Sequence, residues 1–338
     1  MLRASLSQPV YSELKSNYSG SCDQDKAKNY SNMISLYYKQ VKEPELKLLE
    51  QFRLGCWIYV EDPTEAEINQ LAEQFSLETG LLKDAIDPYE GSRLEIKNQV
   101  VYIFTRVPLQ ENELISTVPM MIGLANNFLI TVSSKPLPFL NRFTHSEIEF
   151  YTTQKMKMLL QLFSEINADY SEVLVQINRR LRQMRVRLGK VSNRDIIRFI
   201  AFEEVINDFL AALIPTNTIL NNLLSGKIIE LHPNDKDLVE DLALSNAQLI
   251  ELCKSNLKNL VNIRETYSTI MTNNLNRVIK FLTALTVLIN IPVIISSLYG
   301  MNVKLPWAQS PAAFSFILGF TALISLVVLV IFARNRWL

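Results

Sequence analysis

The hydrophobic pattern changes character near the C-terminus. From Phe281 to Tyr299, nineteen consecutive residues carry no formal charge, and Ala312 to Ala333 supplies twenty-two more. A bilayer core of ~30 Å is spanned by about 20 helical residues, so both stretches predict membrane-crossing helices. The alternative is a buried hairpin in a soluble protein, but soluble core helices rarely stay apolar on every side for so long. The two spans are separated only by residues 300–311.

The first span is not uniformly apolar. Steps of three and four residues from Asn276 land on Ile279, Thr283, Thr286, Asn290, Val293 and Ser297, and five of these seven positions are polar. They share one helix face. The same steps taken backward give Thr272, Thr269, Glu265, Asn262, Lys258, Ser255 and Glu251, all polar, while Leu257, Leu260, Val261, Met271, Leu275 and Val278 form an apolar face. One continuous helix is therefore expected from about Asp235 to Tyr299, roughly 95 Å long at ~1.5 Å per residue. Inside lipid the seam needs water or another helix. A symmetric ring gives every seam a shared wet axis. Hydrogen bonding between packed membrane helices is the other solution, and the seam alone does not choose. Its amide and hydroxyl oxygens suit a hard cation that keeps its water, as Mg²⁺ does. The Cys and His that softer ions prefer are absent from it.

Charge sets the orientation. Arg277 and Lys280 precede the first span, Arg334 and Arg336 follow the second, and the connection holds only Lys304. Both termini are expected in the cytoplasm with the loop outside, and Trp307 and Trp337 fall where interfacial aromatics lie. Elsewhere composition mostly excludes. Lysine plus arginine equals aspartate plus glutamate at 34 each, which calls for no nucleic-acid partner. Cys22, Cys56 and Cys253 are far apart, and His145 and His232 are the only histidines, so neither a disulfide framework nor a zinc finger is expected. The opening MLRASLSQPVYSELK has no apolar core and does not read as a signal peptide. The basic run Arg179–Lys190 reads as a solvated or intersubunit helix face, or one approaching anionic lipid. DPTEAE reads as a helix start with Asp62 near the cap and Pro63 in the first turn. With no glycine-rich phosphate loop and no nucleophile–base set, no enzyme is expected.

The string SSLYGMN ending the first span carries a resemblance. YGMN, Tyr299 to Asn302, between two C-terminal spans resembles the CorA family of divalent-cation channels. IPVIISSLYGMN is similar to the family's first-span ending, and RNRWL to its basic tail. More loosely, CWIYVEDPTEAEINQLAEQFSL from Cys56, LLKDAIDPYEGSRLEIKNQVVYIFTRV and NNFLITV resemble its cytoplasmic strands and helices. The resemblance covers about residues 50 to 338; the polar segment before it has no clear meaning.

The resemblance implies an α+β membrane protein and a funnel-shaped homopentamer. The expected parts are a cytoplasmic α/β sandwich domain with a helical part (1–234), a stalk helix (235–280), a pore-lining span (281–299), an outer loop (300–311), a second span (312–333) and a basic tail (334–338). It implies a multi-pass protein of the cell membrane that admits Mg²⁺, with Co²⁺ or Ni²⁺ as further permeants. The partners would be other copies of the chain, the bilayer and divalent cations, with no cofactor beyond Mg²⁺ as substrate and regulatory ligand. Gly300, Met301 and Asn302 would form the filter, Gly300 letting the backbone turn and Asn302 holding a hydrated ion. Asn276, Ile279, Leu282, Thr283, Thr286, Asn290, Val293 and Ser297 would line the pore. Regulatory Mg²⁺ between subunits would be sensed by Asp84 and Asp241, with Asp87, Glu90 and Glu240 as weaker contributors. Removing it would leave like charges facing each other and loosen the ring.

Three departures from the family's pattern stand out. The outer loop has no acid and carries Lys304. Asn290 stands where a bulky apolar gate is common, which moves the constriction toward Ile279 or Leu282. Lys83 precedes Asp84. The rivals are a zinc transporter of the ZntB branch, which has Gly-Ile-Asn where this chain has Gly-Met-Asn, and a membrane-tethered scaffold that does not conduct.

Overall fold

The computed structural model describes residues 34–112, 114–186, 193–229, 231–303 and 311–335. The expectations for Lys304, Trp307, Arg336 and Trp337, and part of the basic run, lie outside them. The chain divides into two compact units, residues 1–166 with 215–243, and 167–214 with 244–338.

The first unit is built on seven strands: β1 (Ile34–Gln40), β2 (Glu43–Leu49), β3 (Cys56–Glu61), β4 (Arg93–Lys97), β5 (Val100–Glu111), β6 (Leu114–Leu124) and β7 (Phe128–Ser133). Their order is β2-β1-β3-β7-β6-β5-β4. Among the described residues only β3 and β7 run parallel, in the register Cys56 opposite Phe128 to Glu61 opposite Ser133. The central strands are apolar at nearly every position because both faces are covered. On one face Cys56, Ile58, Val60, Tyr102, Phe104, Ile130 and Val132 cluster with Ile68 and Leu71 of α1 (Glu65–Phe75) and Leu81 and Leu82 of α2 (Thr79–Asp84). On the other, the fully buried Trp57 donates from Nε1 to Thr131 Oγ1 at 2.9 Å and meets Phe143 and Phe150 edge-on. Phe143 belongs to α3 (Pro138–Thr144).

One local expectation is corrected. Helix α1 begins at Glu65 with Thr64 as its cap, so Pro63 lies before the helix. The Thr64 hydroxyl accepts from the Glu67 N–H at 3.3 Å, and the Glu67 carboxylate accepts from the Thr64 N–H at 2.8 Å. This reciprocal pair satisfies two otherwise orphaned donors, which Asp62, held at φ 48°, does not.

The second unit is helical. It holds the later part of α4 (Lys155–Val186), most of α5 (Asn193–Leu224), α6 (Pro233–Tyr299) from Leu244 onward, and α7 (Ala313–Arg334). Tyr170 of α4 meets Phe209 of α5 edge-on, with centroids 4.8 Å apart. Asn246 donates to Asn167 at 3.4 Å, and Arg264 pairs with Glu203 at 3.2 Å. The stripe Asn246, Cys253, Asn256, Leu260 and Ile263 on α6 is buried. Burial pushes the Cys253 thiol up to about 12, which keeps it protonated and unreactive.

Helix α6 has 67 residues and spans about 100 Å at ~1.5 Å per residue. It passes through Pro292 without interruption. Both α6 and α7 are long and apolar enough to cross a bilayer, and their apolar windows are almost wholly uncovered. The apolar face expected on α6 is covered only in its lower half: Leu260 is buried, whereas Met271, Leu275 and Val278 are more than half exposed.

Candidate functional site

The seam lies on the outside of α6 for its whole membrane length. Asn276, Ile279, Leu282, Thr283, Thr286, Asn290, Val293 and Ser297 are all exposed. The covered positions of the same stretch are Ala284, Leu288, Ile291 and Ile295. At ~100° per residue, this covered stripe sits about 150° around the helix from the seam. On α7 the less exposed positions Ala313, Ile317, Thr321, Ile324 and Val328 also fall on one stripe. A cavity of about 210 Å³ is lined by Ile295, Leu298 and Tyr299 together with Phe316, Ile317 and Phe320. Near its start helix α7 therefore attends to the face opposite the seam, and among the described residues it gives the seam no polar partner.

The hydroxyls do find partners, along their own helix. Thr283 donates to the Ile279 carbonyl and Thr286 to the Leu282 carbonyl, each at 2.8 Å. Thr269 and Thr272, lower on the seam, do the same at 3.0 Å. A threonine that spends its proton this way presents only oxygen lone pairs outward. The seam is thus biased toward accepting from water, and no acid or base lies within it between Phe281 and Tyr299.

At the end of α6 the Gly300 N–H donates to the Ser296 carbonyl at 2.9 Å, and Met301 and Asn302 follow as exposed residues. The conformational reason expected for Gly300 is corrected. The glycines with positive φ among the described residues are Gly55 and Gly226, so Gly300 does not turn the chain through the left-handed region. A Cβ there would make a tight contact, 3.3 Å from the Ser296 oxygen, which a shift of a few tenths of an ångström would relieve.

The expected sensing acids lie in the first unit. Asp84 ends α2, and its Oδ2 accepts from Arg93 Nη2 at 2.7 Å. Arg93 Nη1 donates to Glu90, and Nε to Glu95 at 2.8 Å. The guanidinium also lies over the Phe104 ring, 4.1 Å from its centroid. Burial by itself lowers the Arg93 pKa, but Glu95, Glu90 and Asp84 outweigh it and the net shift is upward. Asp87 accepts from the Tyr89 N–H at 2.9 Å and stays exposed, as do Lys83, Glu240 and Asp241. Among the described residues, no three His, Cys, Asp or Glu side chains converge to hold a metal ion. Sequence reasoning missed Arg93 and Glu95; the alternation in SRLEI was the available signal, since it puts both on one face of β4.

The profile of CorA-like Mg²⁺ transporter proteins matches residues 55–334. The cobalt/magnesium transport protein CorA of Methanocaldococcus jannaschii is 25% identical over 312 residues, covering 88% of this chain and 96% of that protein. A magnesium transport protein CorA of Campylobacter jejuni is 22% identical over 304 residues, covering 83% and 91%. The complete structure of the CorA magnesium transporter from Methanocaldococcus jannaschii superposes with a TM-score of 0.80 at 21% identity, over 91% of this chain and 99% of that one.

Proposed function

This chain belongs to the family of CorA-like Mg²⁺ transporters, and from that premise we propose that it is a Mg²⁺ influx channel, a homopentamer whose five α6 seams enclose the pore. The observation that carries the proposal is the seam's position, exposed along α6 and about 150° from the stripe that faces α7. A seam so placed is wetted when identical seams surround one axis. The uncovered Met271, Leu275 and Val278 are surface for neighbouring subunits, since apolar patches of this kind mark interaction sites.

The chemistry follows from the lining. Mg²⁺ dehydrates reluctantly, so neutral oxygens that bond its water shell suit it better than carboxylates that strip it. Asn302 meets the hydrated ion at the mouth. Asn290, Thr286, Thr283 and Asn276 accept from its waters lower down, and Ile279 and Leu282 form the apolar narrowing. With Arg277 and Lys280 before α6 enters the bilayer and Arg334 after α7 leaves it, both ends lie in the cytoplasm. Intracellular Mg²⁺ closes the channel by joining Asp84 of one subunit to Asp241 of the next, with Asp87, Glu90 and Glu240 nearby. Co²⁺ and Ni²⁺, which also travel as hydrated dications, are secondary permeants.

The purified protein in liposomes loaded with a Mg²⁺ dye is expected to admit Mg²⁺ at low internal Mg²⁺, faster than it admits Zn²⁺ supplied at equal concentration. Entry of Zn²⁺ alone would favour the zinc-transporter reading, and entry of neither ion would favour the scaffold.

A further inference from the structure

The acids around Arg93 carry more than the regulatory reading uses. One guanidinium spends all three nitrogens on three different carboxylates: Nη2 on Asp84 at 2.7 Å, Nε on Glu95 at 2.8 Å, and Nη1 on Glu90. Phe104 packs beneath it. A fork held on this many sides is pre-organised and is not an incidental surface contact. The side chains are 30% exposed for Arg93, 44% for Asp84 and 17% for Glu90, so the cluster is reachable from water yet shielded enough for its charges to couple. Three acids against one arginine leave two negative charges, which still attract a dication. The Asp84 oxygen that the arginine holds is the one that a metal or its water shell would otherwise meet.

We propose that Arg93 is a built-in counter-ion at Asp84, occupying the acid in the Mg²⁺-free state and raising the Mg²⁺ concentration at which the cytoplasmic domains are clamped together. This rests on the reading of Asp84 as a regulatory acid. Mg²⁺ and the guanidinium compete for the same carboxylate. Closure therefore requires enough Mg²⁺ to release Asp84 Oδ2 from Arg93, while Glu90 and Glu95 retain the displaced side chain. Lys83, although adjacent to Asp84 in sequence, is exposed and makes no described contact with it, so Arg93 is the residue that sets the threshold.

The test uses full-length protein in detergent and follows thermal unfolding and limited proteolysis as Mg²⁺ is titrated. Arg93→Gln should lower the Mg²⁺ concentration for half-maximal protection by roughly tenfold, as expected from removing one unit charge beside a partly shielded dication site. Arg93→Lys, which keeps the charge but not the fork, should stay within about threefold of wild type. Asp84→Asn in the Arg93→Gln background should reverse the gain. Because the readout is a midpoint, a lower baseline stability of Arg93→Gln does not disturb it. If Mg²⁺ protects the wild type and Arg93→Gln leaves the midpoint unchanged or raises it, the counter-ion proposal is overturned while the regulatory reading stands. Mg²⁺ protection in neither protein overturns both.

Discussion

Asn302→Ala is expected to abolish Mg²⁺ entry while leaving the oligomer and its unfolding temperature unchanged. Asn302 is exposed beyond the end of α6, so its loss opens no cavity and breaks no packing. In the proposed homopentamer, what it removes is a ring of amides at the pore mouth. If each of the five contributes only ~0.5 kcal/mol through bonds to the ion's water, the ring contributes roughly 2.5 kcal/mol. That is close to a hundredfold in occupancy. Dye-loaded liposomes measure it directly. Uptake within a factor of three of wild type would remove Asn302 from the filter.

The second large effect is expected at Asn290. In the proposed pentamer, Asn290→Leu places five apolar side chains on the axis, about 14 Å below the end of α6 at Tyr299 at ~1.5 Å per residue. A second apolar ring, added to the narrowing at Ile279 and Leu282, raises the barrier to a hydrated ion because apolar constrictions favour dewetting. Mg²⁺ entry should fall by on the order of tenfold or more, a barrier increase of at least ~1.4 kcal/mol. Asn290→Ser keeps a hydroxyl on the seam and should retain most of the flux. Equal flux through the leucine and serine variants, measured in the same liposomes, would place Asn290 off the water path.

How much of this could be read from the residues depends on what each signal required. The apolar runs after Phe281 and Ala312 were legible because crossing a bilayer imposes a length and a composition. Helix α7 starts at Ala313 and α6 ends at Tyr299, each within a residue of the sequence estimate. The seam was legible because its period is that of a helix. What it faces was not, because an exposed polar stripe looks the same whether water or a neighbouring helix meets it. The covered positions Ala284, Leu288 and Ile291, in line with the Ile295 that lines the cavity beside α7, place the seam on the opposite side of the helix.

Two local readings failed for want of a competing signal. Asp62 and Pro63 are ordinary helix starters, but Thr64 and Glu67 form a reciprocal cap three residues apart, and that stronger motif sets the boundary. At Gly300 the usual reason for glycine was assumed, whereas its φ is not in the left-handed region, which no spacing in the sequence announces. The link from Arg93 to Asp84 went unnoticed because the end of α2 meets β4 only in the folded chain.

The central claim is that the α6 seam is wet. Single cysteines at Thr283, Thr286, Asn290 and Ser297, and others at Leu288, Ile291 and Ile295, can be exposed to a small cationic thiol reagent that does not cross membranes, with the wild type as background. Cys56 and Cys253 are buried and should remain silent. The account predicts rapid labelling of the four seam positions, with Mg²⁺ entry blocked at each, and slow labelling of the other three. Protection of the seam positions, with labelling no faster than at Leu288, would show that the stripe is sealed between helices and would contradict the account.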